Sequence, residues 1–328
     1  MSIHIRPRAL HAFLAVLVLA LGVAACDAGP GGVTQEGGSS ELRANRIQRN
    51  PDNASVQITV GSKNFTEQYV LAEIYAQALE ATGYQVKTDL NLGSEQIALD
   101  ALRRGAVDAY PEYTSTALTS FFKFPAANVP ADARQAYEVS RGDFERLGLV
   151  ALPPTPFSSA NAVGLLTDTA ARLGVTKVSD LQGISQNLSL YGSPECRRRI
   201  DCLAGLEGYY RLRFRSFTPV KIERRYQVLD TRDADLSILF TTDAQLFVSD
   251  NYVILDDDLG FLPAGNVLFV ARKQTAGRAG PDFAETIKSV QENLTLDVMQ
   301  ELNARVDVDG EKPAEAARRY LVEFGYVS

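Results

Sequence analysis

From residue 56 onward, short runs of apolar residues alternate with stretches in which apolar positions recur every three to four residues, the periods of strand and helix respectively. Residues 56–60 predict a strand. Val70, Leu71, Ile74, Tyr75, Ala78 and Leu79 then share one face of a helix that Thr66 is expected to cap and Gly83 to stop. Residues 84–90 predict a second strand. Ser94 is expected to cap a helix carrying Ile97, Leu99 and Leu102, Gly105 to end it, and residues 107–110 to form a third strand. Strand, helix, strand, helix, strand in that order is the pattern of an open α/β sheet with parallel strands.

The alternation resumes further on. Strands are predicted at 162–166, 188–191 and 236–240, with helices near 178–181 and 203–210, so a second α/β unit is expected. The last stretch, 281–325, reads as helical, with Val290, Leu294, Leu296, Val298 and Leu302 among its apolar positions. No internal repeat is visible.

The N-terminus follows another pattern. Arg6 and Arg8 precede a run, 12–25, that is apolar apart from Gly22 and too short to span a bilayer comfortably. It ends Val23-Ala24-Ala25-Cys26, which resembles a bacterial lipoprotein signal; an ordinary secretory signal is the alternative. Residues 1–25 are therefore expected to be a signal peptide, with Cys26 lipidated and holding the protein to the membrane. Residues 26–54, rich in Gly, Ser, Asn, Gln and charge, are expected to be a flexible tether.

Composition then narrows the chemistry. The two histidines are His4 and His11, so the chain after residue 25 has none, which excludes Ser-His-Asp and Cys-His catalysis and imidazole metal sites. Cys196 and Cys202 lie six positions apart; in an exported chain a short-loop disulfide is expected, with free thiols or half a metal site as alternatives. The net charge of −7 becomes −9 without Arg6 and Arg8, as 31 basic side chains then face 40 acidic ones. So acidic a surface argues against nucleic acid as a partner.

Four segments, taken in order, carry a specific resemblance: ITVGSKNFTEQ at 58–68, VDAYPEYTSTAL at 107–118, RYQVLDTRDADLSILFTTD at 225–243 and DDDLGFLPAGN at 256–266. Together they resemble the substrate-binding proteins of ABC importers for glycine betaine, choline and other osmoprotectants, across 56–328. The resemblance implies a two-lobed α/β fold of the type II periplasmic-binding-protein kind, each lobe a mainly parallel sheet flanked by helices. Lobe 1 would comprise 55–158 and 263–328, lobe 2 159–262, closing on solute by a hinge motion. It implies binding rather than catalysis, no cofactor and no metal, a monomer, and separate permease and ATPase subunits.

Residue by residue, the resemblance implies a carboxylate clamp of Lys63, Thr116 and, among three adjacent arginines, Arg199. Lys63 has an independent argument, since it precedes a helix N-terminus, where backbone N–H groups favour an anion. The four corners of the family's aromatic cage map to Tyr113, Asn161, Phe240 and Ala264, and an acidic position of the family maps to Ser159. Two corners are thus not aromatic. Each missing ring weakens a desolvated quaternary ammonium by about 0.5–2 kcal/mol, which leaves room for a bulkier solute, with Tyr226 and Arg225 as substitutes. The competing readings are another carboxylate-bearing solute such as an amino acid derivative, a secreted hydrolase using Glu112 with Asp243, and a sensor or adhesion module. Asp256-Asp257-Asp258 lacks the ligand spacing of a calcium loop and reads as a solvated acidic loop.

Overall fold

The computed structural model describes residues 46–125, 128–130, 132–263 and 265–328. The strands are β1 (Gln57–Gly61), β2 (Gln85–Asp89), β3 (Ala109–Tyr113), β4 (Leu149–Ala151), β5 (Asn161–Leu166), β6 (Ser189–Gly192), β7 (Ser216–Pro219), β8 (Leu236–Phe240), β9 (Tyr252–Ile254) and β10 (Val267–Arg272). They form two five-stranded sheets, ordered β2-β1-β3-β10-β4 and β7-β6-β8-β5-β9. The first carries α1 (Thr66–Thr82), α2 (Glu95–Arg104), α3 (Thr114–Thr116) and α4 (Ala133–Arg146). With the second run α5 (Thr167–Leu173), α6 (Leu203–Gly208), α7 (Gln227–Asp230) and α8 (Ala244–Val248). Four C-terminal helices, α9 (Lys273–Ala279), α10 (Pro281–Gln291), α11 (Leu296–Asp307) and α12 (Pro313–Glu323), follow β10.

The two-lobed α/β architecture is the expected one, but the sheets are mixed rather than mainly parallel. β1 runs parallel to β2 and β3, and β6 parallel to β7 and β8; β10 runs antiparallel to β3 and β4, and β5 antiparallel to β8 and β9. The reason lies in how the chain crosses between lobes. The first residue of β10, Val267, pairs with the last of β3, Tyr113, and the first of β5, Asn161, with the last of β8, Phe240. A strand entered from a crossing segment starts where the parallel strands stop, so it must run back against them. The two crossings pair with each other, Ser159 N–H donating to Gly265 O at 2.9 Å. A side chain at Gly265 would meet Ser115 Oγ and the Ser159 carbonyl, both at 2.5 Å, so close approach demands glycine there.

The predicted apolar face of α1 is wholly buried at Val70, Leu71, Ile74, Tyr75, Ala78 and Leu79. It packs with α10, α11 and α12 into one core, in which Tyr75 meets Phe269 at 4.7 Å between ring centroids. Three local expectations are corrected. Thr66 is the first residue of α1 and donates its hydroxyl to Asp307 at 2.5 Å, while Phe65 takes the N-cap position with extended backbone. In α2, Leu99 and Leu102 are buried as expected, together with Ala98 and Ala101, but Ile97 is half exposed. The tether does not extend to residue 54: Ile47 is buried, its N–H pairs with the Tyr326 carbonyl, and the Asn50 and Asn53 side chains both donate to Asp282.

Candidate ligand-binding cleft

Parallel strands present their C-terminal ends to the space between the lobes, the usual place for a ligand in open α/β sheets. From β1 the chain delivers Lys63, Asn64 and Phe65; from β3, Tyr113, with Ser115 and Thr116 on the short α3. The second lobe contributes Asn161 at the start of β5, Ser193 after β6, the loop 196–202, Arg225, and Phe240 at the end of β8. These residues line one cavity.

Three cations enter it, each with its own acidic partner. The Lys63 ammonium meets Glu112, which also accepts from the Tyr110 hydroxyl at 2.9 Å and the Tyr113 backbone N–H at 2.8 Å. Burial pushes the Lys63 ammonium below its usual pKa, and the Glu112 carboxylate opposes that fall. Arg199 is held by Asp201 through Nε at 2.8 Å and Nη2 at 2.5 Å. It reaches across the cleft to Thr116 Oγ1 at 3.3 Å and Glu95 at 3.4 Å. Burial alone would lower Arg199, yet Asp201 and then Glu95 outweigh it and keep the guanidinium charged. Arg225 grips Asp243 through Nε at 3.0 Å and Nη2 at 2.5 Å, and Asp243 accepts as well from the Tyr226 hydroxyl and the Phe240 N–H, both at 2.9 Å.

Three rings gather at the same place. Phe65 lies 6.2 Å from Tyr113 in a stacked arrangement and 5.3 Å from Phe240, linking an aromatic of each lobe. Behind them Glu67 accepts from the Tyr113 hydroxyl at 2.6 Å and, at 3.3 Å, from Asn303, whose amide also donates to the Thr242 carbonyl at 2.9 Å. Burial raises the Glu67 carboxyl pKa, against the hydrogen bonds that it accepts. Cys196 and Cys202 form a disulfide, and both face the cavity. The bridge closes the loop that carries Arg199, and Asn161 ties the loop to β5 by donating to the Asp201 carbonyl at 2.8 Å.

A signature described as the substrate binding domain of ABC-type glycine betaine transport systems matches residues 56–323. The chain belongs to this family. A glycine-betaine-binding protein of Pseudomonas aeruginosa is 32% identical over 277 residues, covering 81% of this chain and 87% of that protein. An ergothioneine transport permease/ergothioneine binding protein of Helicobacter pylori is 28% identical over 82% of this chain and 48% of its own length. Among solved structures, a glycine betaine/carnitine/choline ABC transporter protein shares the fold with a TM-score of 0.66 at 24% identity, covering 82% of this chain and 99% of that one. As a family member the protein is a solute-binding component of an ABC importer, not an enzyme. Such components work outside the cytoplasm with a permease and an ATPase.

Six of the seven residues expected at the site, Lys63, Tyr113, Thr116, Asn161, Arg199 and Phe240, line the cavity together, as does Ser159, whose hydroxyl pairs with Thr242 at 2.9 Å. Ala264 and Cys26 lie outside the described residues. Tyr226 sits behind the cavity wall, spent on Asp243. Phe65 was missed, although it stands inside the quoted motif at 58–68; the reading as a helix cap of the residue beside it hid that an extended Phe65 would carry its ring towards Tyr113 and Phe240. Glu112 and Asp243, the carboxylates of the hydrolase alternative, are both buried and bound to cations. Asp257 accepts from the Tyr210 hydroxyl and the Phe261 and Leu262 N–H groups, so the acidic run ties a loop. Among the described residues no group of His, Cys, Asp and Glu is placed to hold a metal.

Proposed function

We propose that the cleft binds a small zwitterionic or quaternary-amine solute, either one that carries a carboxylate, as glycine betaine and carnitine do, or the alcohol choline, and delivers it to a separate permease. The observation that carries this reading is the convergence of Phe65, Tyr113 and Phe240 opposite the Arg199–Thr116 contact between lobes. Rings supply a surface for a cation with no strong hydrogen bonds to give, and Arg199, Thr116 and Lys63 supply donors for an acid. Closure completes both sets, because Phe65, Tyr113, Lys63 and Thr116 come from one lobe and Phe240 and Arg199 from the other. In this reading the protein is a monomer anchored outside the cell membrane by lipid on Cys26.

A larger acid-bearing solute is the second reading, favoured by Asn161 at a cage corner and by the naming of the Helicobacter relative for ergothioneine. The deciding experiment uses the full chain in detergent, freed of carried-over solute by unfolding and refolding. Its melting temperature is measured with glycine betaine, carnitine, choline, ergothioneine and common amino acids. A ligand at about 100 times its dissociation constant adds roughly 2.7 kcal/mol, which a melt resolves. Silence with every quaternary amine sinks the proposal.

A further inference from the structure

The aromatic corners of the cleft already face cations that belong to the protein. Lys63 Nζ stands 4.4 Å from the Tyr113 ring centroid and 5.9 Å from that of Phe65. The Arg225 guanidinium stands 4.8 Å from Phe240 and 5.6 Å from Tyr226. These are distances at which a ring face attracts a positive charge. Phe240 is thereby flanked by Arg225 on one hand and Phe65 on the other.

Arg225 is no loose rim residue. Asp243 holds it through two nitrogens, Nη1 donates to the Ile222 carbonyl at 2.7 Å, and Asp243 is itself pinned by Tyr226 and Phe240. Three of the five N–H groups of a guanidinium are committed by these bonds, and the plane of the fork is set by them. A quaternary ammonium seeking the Phe240 face would have to displace a charge gripped in this way, and it has no means of bonding to Arg225 once there.

We propose that Arg225 is a specificity-determining residue: a tethered guanidinium that takes the place of a ligand ammonium on Phe240 and offers its remaining donors to an acceptor that a bare trimethylammonium lacks. The solute class this selects is a zwitterion longer than glycine betaine, with an additional acceptor such as a hydroxyl, carbonyl or ring heteroatom reaching Arg225. This inference rests on the betaine-type reading of the cleft.

The test compares binding of choline, glycine betaine and carnitine, by calorimetry, to the full chain and to the double variant Arg225→Met/Asp243→Asn. Met fills similar space without charge, and Asn keeps an acceptor for Tyr226 and the Phe240 N–H without leaving a carboxylate unpaired. Glycine betaine affinity should rise about tenfold in the double variant, and the preference for carnitine over glycine betaine should fall by at least as much. Arg225→Lys, which retains the charge, should leave glycine betaine weak. Should the double variant fail to fold, Arg225→Gln/Asp243→Asn carries the same expectation. Glycine betaine affinity that is unchanged, lower or undetectable in both proteins overturns the role of Arg225, and so does an equal gain in Arg225→Lys. The parent reading fails on a different result: no response of the unmodified chain to any quaternary amine, carnitine included.

Discussion

Replacing Glu112 by Gln removes the carboxylate paired with Lys63 and leaves Glu95 as a weaker counter-charge. Glu112 has no exposed surface, and its oxygens receive the Lys63 ammonium, the Tyr110 hydroxyl at 2.9 Å and the Tyr113 N–H at 2.8 Å. Gln has nearly the same shape and keeps a carbonyl acceptor, so cavity terms are small. The loss is the counter-charge of Lys63, which is only 4% exposed. Removing one partner of a buried ion pair costs about 3–5 kcal/mol. At about 2–4 °C per kcal/mol, the midpoint should drop by roughly 6–20 °C at pH 7.

The pH dependence has a definite sign. Burial holds the folded-state pKa of Lys63 below its ordinary 10.5, with Glu112 opposing the fall. A base whose folded pKa is depressed penalises folding at pH below that folded value, and the penalty is relieved as pH rises through it towards the unfolded one. Without Glu112 the depression deepens, so the penalty grows and its relief begins at lower pH. Melts followed by circular dichroism should therefore show the Glu112→Gln deficit narrowing as pH is raised from neutral towards the ordinary lysine value. A variant that melts with the parent at pH 7, or a deficit that widens with pH, would refute the reasoning.

Other outcomes follow from the same geometry. Cys196→Ser/Cys202→Ser should lower stability by about 2 kcal/mol, the loop-closure value for so short a loop, and reductant should do the same to the unmodified chain; identical melts would mean that the bridge does not restrain the loop. Gly205→Ala should destabilise by about 1–3 kcal/mol, because its Cβ would sit 1.8 Å from Phe261 Cζ and 1.9 Å from the Ile200 carbonyl, and a melt within error of the parent would show that this packing yields. Phe65→Ala should weaken a quaternary-amine ligand about 3- to 30-fold by calorimetry, since it deletes the ring that meets both Tyr113 and Phe240; unchanged affinity would remove Phe65 from the site.

Periodicity was a sound guide wherever one face of an element is buried and the other is not. The α1 positions 70, 71, 74, 75, 78 and 79 all went inside, because a helix of 17 residues must bury the stripe its spacing defines. Strand direction was not legible. An apolar run looks alike in a parallel and an antiparallel strand, and the reversal of β5 and β10 depends on where the chain crosses between lobes. The ordering of residues 46–55 was likewise hidden, since polar Asn50 and Asn53 are held by Asp282, more than 200 positions away.

At the site, residue types, the absence of histidine after residue 25, and the ordered motifs that carry Lys63, Tyr113, Thr116 and Phe240 were legible in the chain. What each is paired with emerged only on folding. Cation–ring and ion-pair contacts fall off within a few ångströms and join residues far apart in the chain, so Lys63 on Glu112 and Tyr113, or Arg225 on Asp243 and Phe240, follow from folding rather than from spacing. The same short range explains why Tyr226, adjacent to Arg225 in sequence, ends behind the cavity wall, while Phe65, next to a residue read as a helix cap, stands between the two lobes.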